Sequence, residues 1–158
     1  MLSPRNGGGG RRTSGFAMLL LAPLATALVV AARAGGVDVC AVIDQSQIEA
    51  ALGGPAARAP GGTTNGCAWR SASVAGDGVT IQVDDGGQEK FAFDRGRLTT
   101  VALPGVGDDA FAFNSVAGFV QLGLMKDGTY VTMVLQLQND PGRLDKAKAL
   151  AAYVAGRM

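Results

Sequence analysis

Two cysteines, Cys40 and Cys67, are the only ones in the 158 residues, and both follow closely on a basic, then uncharged, N-terminal run. Paired cysteines behind a leader are the usage of an oxidising compartment, so the two are predicted to form a disulfide. A bridge there would close a loop of roughly 26 residues, worth about 3–4 kcal/mol as lost freedom of the unfolded chain. It also obliges whatever follows Cys40 to lie beside whatever follows Cys67. The chain has no histidine at all. That removes most zinc sites, imidazole-based triads and the commonest general base.

Met1 to Gly15 carries Arg5, Arg11 and Arg12 as its only charges, and Phe16 to Ala32 is uncharged throughout. This is the pattern of an n-region followed by an h-region. Ala32 and Ala34 supply the small residues a signal peptidase needs, which predicts cleavage after Ala34. The alternative is an uncleaved anchor with its arginines on the cytoplasmic side. Either way residues 1–34 are a signal peptide or membrane anchor and residues 35–158 an exported domain, secreted or tethered to the outer face of the cytoplasmic membrane. Arg11-Arg12 hints at twin-arginine export, but Thr13-Ser14-Gly15 lacks the apolar residues that usually follow such a pair. Asp38 and Val39 stand where a lipobox needs small residues, so Cys40 is left free to pair.

Four of the 14 basic residues lie in the leader, which leaves ten against 13 acidic residues beyond Ala34, a net charge of −3. Without clustered positive charge a nucleic-acid partner is not expected. Membrane contact is expected only through the leader, if it stays attached.

Beyond the leader the chain reads as one α+β domain. After Cys40, Asp44 is placed to cap a short helix, with Gln47 completing a capping box, Ile43 and Ile48 forming a staple and Gly53 a left-handed exit. Cys67 and Trp69 share one face of a strand, Val79, Ile81 and Val83 alternate in the next, and Trp69 is expected to pack on the disulfide. Gln88 to Leu98 fits a short helix ended by Gly96. Three antiparallel strands follow, 110–114, 119–125 and 129–137, the last two joined through Asp127-Gly128, the favoured hairpin dipeptide. Asp140-Pro141 then opens a C-terminal helix whose apolar side carries Leu144, Ala147, Leu150, Ala151 and Val154. The order αββαβββα predicts an antiparallel sheet of about five strands with its helices packed on one face.

Catalytic patterns are scarce. No serine lies in a Ser-x-x-Lys or Gly-x-Ser-x-Gly context, and the cysteines are committed to structure. Asp84-Asp85 and Asp108-Asp109, each beside glycines, are the candidates for a metal site or a carboxylate pair, though their spacing matches no calcium loop. The bland reading is that they are solvated or hold backbone amides. Pro104-Gly105-Val106-Gly107 could present amides to an anion, but two aspartates follow at once, which favours a tight turn leading into the strand at Ala110. No cofactor is expected.

Cys40-Ala-Val-Ile, a helix ending Ala51-Leu52-Gly53, Cys67-Ala-Trp69, Pro104-Gly-Val-Gly-Asp-Asp-Ala-Phe111 and an Ala/Leu-rich C-terminal helix together resemble a family of exported actinobacterial proteins of unknown function, many of them lipoproteins. The resemblance covers nearly all of the exported part. It implies an extracytoplasmic domain with one disulfide and no established catalysis. The expectation is a non-catalytic binding or envelope-associated protein with an unidentified envelope ligand or protein partner. Its rivals are an extracytoplasmic hydrolase using the four aspartates and an accessory subunit of a membrane complex.

Overall fold

The computed structural model describes residues 37–60 and 65–158, so the expected leader lies outside the described residues. The elements run α1 (Gln45–Leu52), β1 (Ala56–Arg58), β2 (Gly66–Ser71), β3 (Gly78–Asp84), α2 (Gly87–Arg97), β4 (Val101–Ala102), β5 (Asp109–Asn114), β6 (Phe119–Lys126), β7 (Thr129–Gln136) and α3 (Arg143–Ala155). All strand pairs are antiparallel, in the order β1-β2-β3-β7-β6-β5-β4. The sheet therefore has seven strands, not about five. The two extra ones, β1 and β4, are edge strands of three and two residues, too short to show an alternation in sequence. Such short edges also leave little backbone for another sheet to pair with.

One face of the sheet forms the main core. Cys67 and Trp69 of β2, Val79 and Ile81 of β3, Val131, Met133 and Leu135 of β7, Val120, Leu122 and Leu124 of β6 and Ala110 and Ala112 of β5 are all buried there. They pack under Ile48, Ala51 and Leu52 of α1 and Ala147, Leu150, Ala151 and Val154 of α3. The Asp127-Gly128 hairpin holds both residues at positive φ, 47° and 77°, as a two-residue loop between β6 and β7 requires.

Cys40 and Cys67 are bonded, with Cα atoms 5.8 Å apart. The bridge fastens the chain ahead of α1 to β2 within the same core that buries Trp69. A disulfide points to an oxidising, extracytoplasmic environment. Among the described residues no helix is long and apolar enough to cross a membrane.

The helix ends differ in detail from the sequence reading. Gly53 is the left-handed exit of α1 (φ 74°), but Asp44, although at the N-cap position, makes no capping hydrogen bond. Its carboxylate instead accepts from the Tyr153 phenol and meets Arg157 at 3.4 Å, joining the start of α1 to the end of α3. α3 begins at Arg143, two residues beyond Pro141, with the Asp140 carboxylate accepting from the Gly142 N–H at 2.7 Å. Gly96 lies inside α2 and does not end it.

The helices are not all on one face. α1 and α3 cover the face just described, whereas α2 packs on the other. Its Phe91 joins Phe111, Met125 and Tyr130 in a separate buried cluster. Those sheet residues alternate with Ala110 and Ala112, Leu124, and Val131, and so project oppositely. Phe111 fits because its neighbour across β6 is Gly123, where a Cβ would come within 2.4 Å of the ring. The order of strands explains the crossing: β3 is third across the sheet and β4 at its far edge, so the connection must travel over β7, β6 and β5.

Candidate functional site

α2 covers only one end of its face of the sheet. The row Asp84–Tyr130–Met125–Asp109 runs across β3, β7, β6 and β5 at that end. Beyond it the β3 and β7 part of this face is largely polar, with Gln82 beside Thr132 and, one row on, Thr80 beside Val134 beside Gln121, while Phe113 and Phe119 pair on its β5 and β6 part, ring centres 6.1 Å apart. Where the helix ends and the open face begins, a cleft of about 190 Å³ is lined by Thr80, Gln82, Asp84, Gln121, Thr132 and Val134 from the sheet and Lys90, Asp94 and Arg97 from α2.

Lys90, Asp94 and Arg97 form one stripe because residues three and four apart share a helix face. Asp94 is only 1% exposed, which a carboxylate tolerates only with compensation. Its Oδ2 accepts from the Tyr130 hydroxyl at 3.0 Å and is paired with the Lys90 ammonium. Its Oδ1 is buried and, among the described residues, has no hydrogen-bond partner; the Arg97 guanidinium stands off at 3.5 Å. Burial, and next the charge of Asp94, push the Tyr130 phenol well above the ordinary tyrosine range, so it remains a donor. Beside the stripe, Phe93 is 61% exposed, with Lys90 Nζ 5.9 Å and Arg97 Cζ 5.4 Å from its ring centre.

The four aspartates singled out from sequence do not converge. Asp84 lines the cleft and accepts from the Gly86 N–H at 3.0 Å. Asp85 accepts from the Asn65 amide at 3.1 Å. Asp108 accepts from the Asp127 N–H at 2.6 Å and meets Lys126 at 3.4 Å, which hold its carboxyl below the ordinary range. Asp109 is paired with Arg95 of α2. Three strand spacings separate Asp84 from Asp109, roughly 14 Å at ~4.8 Å each. Among the described residues no group of three or more His, Cys, Asp or Glu is arranged to hold a metal ion.

The Pro104-Gly105 run is a turn closed by the Val106 N–H on the Leu103 carbonyl at 3.4 Å, with Gly105 at φ 80°. The Asp108 N–H that follows is spent on the Met125 carbonyl at 2.9 Å.

Sequence reasoning left out Asp94, Arg97, Tyr130 and Phe93. The polar alternation Thr80-Gln82-Asp84 is the one local signal that a second face of the sheet is built for hydrogen bonding. Comparison with family models, curated proteins and solved structures finds no match for this chain.

Proposed function

We propose that the protein is an exported, disulfide-stapled binding domain of the cell envelope, without catalysis of its own, and that the cleft beside α2 is where it holds its ligand. The observation that carries this reading is the placement of Asp94: a buried, partly unsatisfied carboxylate at the edge of a cleft whose sheet wall carries Thr80, Gln82, Gln121 and Thr132. A domain selected for stability alone gains by covering that wall with apolar side chains. The scattering of Asp84, Asp85, Asp108 and Asp109 counts against the hydrolase. The leader, the disulfide and the resemblance to exported actinobacterial domains support the location, and we place the chain with that family on the same motifs.

Two measurements test it. The intact mass of protein recovered from an exporting host, with and without reductant, should show loss of residues 1–34 and one disulfide; a retained leader with free thiols refutes the exported form. Cell-envelope material fractionated by charge should shift the amide resonances of Gln82, Gln121 and Thr132 saturably and remain chemically unchanged. Turnover by the wild-type protein that Asp94→Asn lacks would make it an enzyme.

A further inference from the structure

We infer that the cleft takes a neutral, hydroxyl-rich ligand, a saccharide unit seated between Asp94 and the amides and hydroxyls of the sheet wall. This deepens the binding reading above and rests on it.

Charge is the first argument. The charged groups lining the cleft are two carboxylates, Asp84 and Asp94, and two cations, Lys90 and Arg97. An anion drawn to the cations meets both carboxylates, and a cation meets the reverse, so neither finishes with its charge compensated. A neutral ligand avoids that cost.

Hydrogen-bonding capacity is the second. The neutral polar side chains of the wall are two amides, Gln82 and Gln121, and two hydroxyls, Thr80 and Thr132. Each can both donate and accept, while the carboxylates only accept and the cations only donate. Alcohols donate and accept at one atom, so a ring bearing several of them can satisfy all three kinds of group. Asp94 Oδ1 in particular needs a donor. It is buried without a hydrogen bond among the described residues, at a site where an unmade bond is costly, and a ligand hydroxyl displacing the loosely held Arg97 would supply one.

Size is the third. At about 190 Å³ the cleft is below the roughly 300–1,000 Å³ of pockets for drug-sized ligands, so it suits one ring, with the rest of any chain left in solvent.

The test is amide-resonance titration of ¹⁵N-labelled protein from the exporting host with N-acetylglucosamine, chitotetraose, maltotetraose, sodium phosphate and spermidine. A neutral saccharide should shift Gln82, Asp94, Gln121 and Thr132 saturably. Gln121→Ala, at the sheet wall of the cleft, should then weaken binding about tenfold. A preference for the tetramers over the single sugar assigns the site to a polymer, and equal binding to a free sugar. Phosphate or spermidine binding in the cleft while no saccharide does overturns the saccharide class and leaves the binding reading standing. Saccharide binding that Gln121→Ala does not change overturns the seat in the cleft. Failure of every probe to reach the cleft overturns both.

Discussion

The Tyr130 hydroxyl donates to Asp94 Oδ2 at 3.0 Å, joining β7 to α2 at the closed end of the cleft. Tyr130→Phe keeps the ring against Phe91, 5.4 Å away between centres, and removes only the donor. Loss of a hydrogen bond to a buried charge should cost about 1.5–3 kcal/mol, read as a lower urea midpoint with unchanged slope.

The same pair sets an alkaline limit. The unfolded phenol ionises near 10.0, whereas the folded one is held higher by burial and then by the Asp94 charge. The folded state therefore keeps a proton the unfolded state loses. Stability is full below about pH 10 and falls as pH rises toward the folded titration. Denaturant midpoints measured across that range should drop for wild type and flatten for Tyr130→Phe.

Asp140 sets an acidic counterpart. The Lys146 ammonium and the Gly142 N–H hold its carboxyl below 3.8, so its contribution is present above that value and is lost as pH falls through the lower folded titration. Asp140→Asn should remove that part of the acid dependence, seen as a smaller loss of melting temperature on acidification.

Reduction of Cys40–Cys67 should lower stability by about 3.5 kcal/mol, the chain-entropy value for a 27-residue separation. The Cys67→Ser protein, compared by urea unfolding, should show the same loss while its folded fraction still binds whatever the wild type binds.

Two glycines of one turn should respond differently to alanine. Gly105 is at φ 80° with open space around it, so Gly105→Ala should cost only the backbone term, about 1 kcal/mol. At Gly107, φ 61°, a Cβ would also fall 2.5 Å from the Met125 carbonyl oxygen and 2.4 Å from Leu124. Gly107→Ala should lose roughly 1–3 kcal/mol more. Thermal melts of the two variants side by side check this.

What the chain determines by itself is local. Gly53 after an apolar helical stripe, Asp127-Gly128 between alternating strands and the two cysteines are each readable within a few residues, because turn dihedrals, side-chain period and redox usage are properties of short segments. The cleft is not of that kind. Asp94 and Tyr130 lie 36 residues apart and meet only because α2 crosses the sheet on the face opposite α1 and α3. That choice rests on Gly123 opening room for Phe111, which in turn seats Phe91. The adjacent aspartates of Asp84-Asp85 and Asp108-Asp109 suggested a site in sequence, and the strands between them kept the pairs apart. Sequence neighbours share a backbone, but which side chains share a cleft is decided by strand order and by where each helix finds a surface to bury.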